Sequence, residues 1–150
     1  MLPVDYDSDD YRFNKTLHMD VEILPDKWDN KWDLQFTDDE NKDFKILSGT
    51  ESLRNAINIA IMTRYEELKN ELYYPGFGCK VHELLKANKS VTVQKKIGYY
   101  CENVLNEMRR IKTVNEVIVT DNKDSNSFKY GVFFNITSIN DEVISGSVNL

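Results

Sequence analysis

The sequence has few of the side chains on which most enzyme and metal sites depend. Its 150 residues include two histidines and two cysteines. His18 and His82 are far apart, and the sequence contains no paired set of cysteine and histidine ligands such as zinc sites use. Cys79 and Cys101 are too far apart in sequence for a zinc or redox motif. We therefore expect no metal and no cofactor, and two free thiols, with Cys101 in the core and Cys79 in a turn.

Motifs for nucleotide and acyl chemistry are also missing. The sequence contains no nucleophile elbow, Walker loop or dinucleotide fingerprint. Carboxylates are numerous, and Glu66, Glu67 and Glu71, beside Tyr73 and Tyr74, are the best placed candidates for an acid and nucleophile pair. A solvated surface explains these residues equally well. We expect a protein without catalytic residues, which is not an enzyme.

The balance of charge and the short apolar runs exclude two classes of partner. The formal net charge is −6, whereas binding to a phosphate backbone needs a clustered surplus of lysine and arginine. The basic pairs Lys95-Lys96 and Arg109-Arg110 are typical of a solvated helix face. No apolar run approaches the roughly 20 residues that span a bilayer, and no leader pattern is present. We expect no nucleic acid or membrane partner, and a chain that stays in the cytosol where it is made.

Hydrophobic periodicity predicts the first part of the fold. Residues 1–20 mix aspartates with aromatic residues without a regular period, which predicts an extended N-terminal arm, and residues 21–150 predict a single domain. Short strands are expected before residue 37, followed by a solvated acidic turn. Ser48 and Glu51 form a capping-box pattern at the start of a helix. The apolar stripe of this helix consists of Leu53, Ala56, Ile57, Ala60 and Ile61.

A turn, two more helices and three strands follow. The turn residues are Pro75, Gly76, Phe77 and Gly78. A short helix is predicted over 81–85, and a longer one from Ser90 or Thr92 to about Arg110. The period then changes to two over 114–120, 128–136 and 144–150. The predicted class is α+β, with short N-terminal strands and three helices packed on one face of a C-terminal three-stranded antiparallel meander.

The order of these motifs resembles the sheath-initiator proteins of contractile phage tails. This baseplate wedge family also occurs in tailocins and related injection systems, and the resemblance covers about residues 34–150. It rests on four segments, namely Leu34-Gln35-Phe36, Ser48-Gly49 before the helix, Tyr74-Pro75-Gly76-Phe77-Gly78-Cys79, and Val81-His82-Glu83-Leu84-Leu85.

The family also carries a Glu-Pro-Arg signature at the end of its long helix. The matching place here reads Glu107-Met108-Arg109. We expect Met108 to let the helix continue and to fall on its apolar stripe. The resemblance implies that Glu107, Met108 and Arg109 dock on the core of the baseplate wedge. The alternative is that Glu107 and Arg109 are ordinary charges at a helix end.

The resemblance implies a structural assembly protein that templates the first ring of sheath subunits by β-strand addition. Its partners would be the tail sheath subunit and baseplate wedge proteins, in a ring of six copies. It would be found in the virion or tail-like particle, and in the host cytoplasm during assembly. The expected sheath-binding edge consists of Phe128, Tyr130, Val132, Phe134, Ile144 and Val148. Alternatively, the chain's own N-terminal segment covers that edge.

Two other functions fit parts of the sequence. A lysozyme-like cell-wall hydrolase at the tail tip would use the carboxylates Glu66 and Glu71. A small cytosolic adaptor unrelated to tails would use the same strand edge on a different partner.

Overall fold

The structure is a computed structural model that describes residues 8–25, 32–40, 42–122 and 130–150. Its helices and strands confirm the predicted α+β class. Contacts divide the chain into two units, residues 1–56 and 57–150, so the boundary falls inside a helix. Each unit is described separately.

The first unit combines short strands with helices. Its elements are α1 (Asp9–Leu17), β1 (Met19–Val21), β2 (Ile23–Pro25), β3 (Trp32–Leu34), β4 (Ile46–Ser48) and the beginning of α2 (Gly49–Met62). The helix α1 lies where an extended arm was predicted, so that prediction is wrong for these nine residues. The helix has no regular apolar stripe in its sequence, and it ends at the fully buried Leu17.

The strands of the first unit form two antiparallel pairs, β1 with β4 and β2 with β3. Between them, Glu22 donates its backbone N–H to the Lys45 carbonyl at 2.8 Å. The side chains of these residues form an ion pair of 2.7 Å, and the hydrogen bond and charge of Glu22 raise the pKa of Lys45. Beyond this point the rings of Phe36 and Phe44 stack, with centroids 5.1 Å apart.

A buried asparagine of α2 holds the junction between β1 and β2. Asn55 is 4% exposed. Its Oδ1 accepts a hydrogen bond from the Ile23 N–H at 3.1 Å, and its Nδ2 donates to the Val21 carbonyl at 2.9 Å. The side-chain amide of Asn55 therefore supplies the hydrogen bonds that a neighbouring strand would otherwise make to the backbone between β1 and β2.

Replacing Asn55 with alanine should lower the free energy of unfolding by about 2 kcal/mol, because it leaves a half-buried N–H and a half-buried carbonyl without their partner. Thermal or urea unfolding measures this loss. The control is Asn70→Ala at an exposed position, which should change stability by less than about 0.5 kcal/mol. Equal effects of the two substitutions would contradict the bridging role of Asn55.

The second unit contains a helix packed against a three-stranded sheet. Its elements are the end of α2, a 3₁₀ helix (Lys80–Glu83), α3 (Val91–Glu107), β5 (Ile111–Asp121), β6 (Tyr130–Ser138) and β7 (Val143–Asn149). The sheet is antiparallel in the order β5-β6-β7, as the predicted meander requires. Helix α3 packs against β5. The predicted hairpin connection lies largely outside the described residues.

Alternating residues of the sheet and a stripe of α3 form the core of this unit. The fully buried side chains include Ile97, Cys101, Leu105, Tyr130, Val132, Ile136, Ile144 and Val148. The thiols of Cys79 and Cys101 are buried and hydrogen-bonded to each other. The bond to Cys79, together with burial, raises the pKa of Cys101, and the same bond lowers the pKa of Cys79. Both cysteines are free, as predicted.

Two predicted helices differ from those observed. The short helix predicted over 81–85 is observed as a four-residue 3₁₀ helix that begins one residue earlier. The long helix begins as predicted, since the Ser90 Oγ accepts a hydrogen bond from the Val93 N–H at 3.2 Å. It ends earlier than predicted, at Glu107.

Candidate functional site

The meander places the predicted edge residues differently from expectation. Strand β6 is the central strand, so Tyr130, Val132 and Phe134 do not lie at an edge. They face the core and are at most 3% exposed. Ile144 and Val148 lie on the edge strand β7, but they are also buried in the core. The prediction of an edge position was wrong for the residues of β6, because alternation identifies the buried face of a strand, whereas position in the sheet depends on pairing. Phe128 lies outside the described residues.

The longer edge of this sheet is β5. No strand in the described part of the chain pairs with its outer side. The register shifts between Ile111 and Thr113 and again between Val114 and Glu116. Such bulges disrupt the first half of the edge. From Glu116 to Asp121 the pairing with β6 is regular. The regular part therefore presents backbone groups that an incoming strand can pair with.

A groove of about 490 Å³ runs along this regular part, between β5 and α3. The helix contributes residues that recur every three or four positions, and the strand contributes three consecutive residues. The lining consists of Val91, Gln94, Lys95, Gly98, Tyr99, Glu102, Val117, Ile118 and Val119. Three of these side chains leave much apolar surface open to solvent, with Val91 67%, Tyr99 60% and Ile118 46% exposed. Exposed apolar surface in a concavity is typical of binding sites.

An ion pair joins the start of α3 to the end of β5 at one end of the groove. The Lys89 ammonium, which lies just before α3, pairs with the carboxylate of Asp121 at the end of β5. It also donates to the Asn122 carbonyl at 3.2 Å. The side chains of Lys89 and Asp121 are 38% and 24% exposed, so solvent weakens the pair. Its role is to hold the helix start beside the strand end.

Gly98 lies in the helix wall of the groove, where a methyl group would fit. A Cβ atom there would be 3.5 Å from the Val119 Cγ2, an ordinary van der Waals distance. Since glycine is unfavourable inside a helix, Gly98→Ala should raise the free energy of unfolding by about 0.5–1 kcal/mol. Urea unfolding measures the change. A loss of stability would show that α3 and β5 lie closer together than described.

The signature residues Glu107, Met108 and Arg109 lie at the end of α3. Met108 has extended backbone angles, φ −77° and ψ 117°, so the prediction that the helix continues through it is wrong. The physical reason is a turn in which the Ile111 N–H donates to the Met108 carbonyl at 3.0 Å and leads into β5. Glu107 and Arg109 are exposed, and neither forms an ion pair with another described residue. Their charges are therefore available to a partner.

The predicted turn is confirmed, and it lies against the chain that follows α2. Pro75 and Gly76 form the turn, and Gly76 and Gly78 have positive φ angles of +78° and +102°. The Cys79 N–H donates to the Thr63 carbonyl at 2.8 Å. The turn therefore has a structural role, and it fixes the start of the 3₁₀ helix.

Two of the three carboxylates considered for catalysis make local contacts. Glu66 pairs with Lys69 at 3.3 Å. The Glu67 Oε2 accepts a hydrogen bond from the Arg64 N–H at 3.1 Å, and Glu71 is exposed. Within the described ranges, no group of three or more His, Cys, Asp or Glu residues could hold a metal ion. Among the described helices, none is long and apolar enough to cross a membrane.

Comparison with known proteins identifies no family for this chain. No family model matches the sequence, and no curated protein matches it.

Proposed function

We propose that this protein is a structural assembly protein of a contractile tail baseplate, which receives a strand of the tail sheath subunit along β5. It would dock on the wedge core and template the first ring of sheath subunits. The observation that supports this most strongly is the regular free edge of β5 beside an apolar groove. The motif order of the sequence, which resembles sheath initiators, supplies the identity of the partner.

The chemistry of such an edge favours an extended peptide over a folded surface. Main-chain hydrogen bonds to β5 supply affinity without regard to sequence. Side chains of the incoming strand point alternately to the two faces of the sheet. On one side they would reach Gly98 and Tyr99, and on the other they would lie next to Ile118. Small or apolar residues at alternate positions are therefore expected in the sheath strand.

Docking on the wedge is assigned to the other end of α3. Glu107 and Arg109 offer opposite charges beside the half-buried Met108. A matched charge swap, Glu107→Arg with Arg109→Glu, preserves net charge and should weaken wedge binding while leaving sheath binding unchanged. This separation of the two activities distinguishes docking residues from residues that only stabilise the helix end.

The function is tested by co-expression with the sheath subunit and wedge proteins of the same gene cluster, followed by purification and electron microscopy. Sheath-like rings or tubes that contain this protein support the proposal. If the protein co-purifies with neither the sheath subunit nor the wedge proteins, the result contradicts the proposal. Clearing of cell walls by the purified protein would favour the hydrolase alternative, and Glu66→Gln and Glu71→Gln test which carboxylates it needs.

A further inference from the structure

A second concave site carries a concentration of positive charge in an acidic chain. The pocket has a volume of about 300 Å³ and lies beside the 3₁₀ helix. Its lining carries three fixed positive charges and one negative charge, whereas the whole chain has a formal net charge of −6. The lining residues are Arg64, Tyr65, Cys79, Lys80, His82, Glu83 and Lys86. It shares no lining residue with the groove beside β5.

Local geometry brings these cations together. Lys80, Glu83 and Lys86 are three residues apart, in a segment whose turns close between Val81 and Leu84 and between Leu84 and Ala87. Side chains three residues apart in such a segment lie in one row. Arg64 joins the row from the other side of the turn, because it forms a parallel bridge with Cys79.

The cations of this pocket have no anionic partner among the described residues. The ammonium of Lys80 lies 4.5 Å from the centre of the Tyr65 ring, a cation–π contact. The side chains of Arg64 and Lys86 form no ion pair within the described chain. Arg64, Lys80 and Lys86 are all exposed. Three unpaired cations around one concavity favour an anionic ligand.

The hydrogen-bond donors of this pocket favour a ligand with separated carboxylates over a ligand with one phosphate group. Phosphate sites commonly use free backbone N–H groups. Here the N–H of Arg64 already donates to Glu67, that of Tyr65 donates to the Cys79 carbonyl at 3.2 Å, and that of Cys79 donates to Thr63. These three N–H groups are therefore not available to a ligand, and the charged donors of the lining are side chains of separate residues.

We infer that the Arg64–Lys80–Lys86 pocket binds an acidic peptide segment of a protein partner, in which at least two Asp or Glu side chains meet separate cations. The Tyr65 ring, which is 41% exposed, provides an apolar contact for the peptide between the charges. The site is independent of strand addition, and its partner contact does not require the β5 edge.

The test uses the full chain alone and a short fluorescein-labelled peptide of alternating glutamate and glycine, with fluorescence anisotropy at low ionic strength. The same peptide with glutamine in place of glutamate is the ligand control. Arg64→Gln with Lys80→Gln should weaken binding about tenfold, since each replaced cation removes one ion pair. Lys42→Gln with Lys96→Gln changes the net charge equally at exposed positions outside the pocket and should leave affinity within about twofold.

Three results would overturn the inference. They are no binding of the glutamate peptide, equal weakening in both double variants, and displacement by inorganic phosphate as effective as displacement by unlabelled peptide. The second would assign binding to diffuse charge, and the third to a small phosphate site. Circular dichroism and thermal unfolding of both variants establish that the compared proteins are folded. Because no sheath subunit is present, failure here leaves the proposed function untouched.

Discussion

Replacing Gly78 with alanine is expected to lower the free energy of unfolding by about 3 kcal/mol or more. Two effects add at this position. The backbone φ of +102° is one that residues with a Cβ rarely adopt. A Cβ atom would also be in hard contact with the Arg64 carbonyl oxygen, 2.7 Å from its carbon and 2.9 Å from the Thr63 oxygen. The contacted atoms belong to the backbone, so rotation of a side chain cannot relieve the clash.

The matched control for this prediction is Gly76→Ala, in the same turn. Its φ is +78°, but no atom lies within 4 Å of the position of a Cβ. Only the backbone strain remains, and we expect a loss of about 1 kcal/mol. Urea unfolding of both variants measures the difference. Equal losses would show that Gly78 does not lie against the backbone of Thr63 and Arg64.

Filling the groove beside β5 is expected to abolish co-assembly with the sheath subunit. Gly98→Arg places a long charged side chain in the helix wall of the groove, where an incoming strand would lie. Arginine is a good helix former, so α3 should persist. We expect the amount of sheath co-purified with the variant to fall at least about tenfold, since a central contact of an interface carries much of its binding energy.

A second pair of variants tests which edge is used. Ile118→Lys changes a half-exposed residue of β5, and Val143→Lys changes an exposed residue of β7, at the opposite edge. Both substitutions add one positive charge and remove exposed apolar surface. Loss of co-assembly only with Ile118→Lys supports β5, and loss only with Val143→Lys contradicts it. Single substitutions are preferable to deletion of β7, because Ile144 and Val148 belong to the core.

Periodicity predicted the core of the second unit well. Ile97, Cys101 and Leu105 recur at four-residue intervals and form the buried stripe of α3. Val132, Phe134 and Ile136 are buried and alternate with the less buried Phe133 and Asn135 along β6. These positions could be predicted because burial on one face of a helix or strand repeats with the period of its backbone.

Features that depend on pairing or on a single residue's conformation could not be predicted in this way. The same alternation occurs in central and edge strands, so it did not show that β6 lies between β5 and β7. Helix α3 ends where Met108 adopts an extended conformation. The apolar period of the sequence includes Met108, so it predicted a longer helix. The basic pocket needs the bridge between Arg64 and Cys79, although the three-residue spacing from Lys80 to Lys86 is visible in sequence.

Hydrogen exchange of the backbone amides, compared between the free protein and its complex with the sheath subunit, tests strand addition along β5 most directly. New hydrogen bonds slow the exchange of the amides that form them. The proposal predicts added protection at alternate residues of the segment Glu116–Asp121, whose outer side pairs with no strand among the described residues. A complex that forms with no added protection in this segment, or with protection confined to β7, would contradict it.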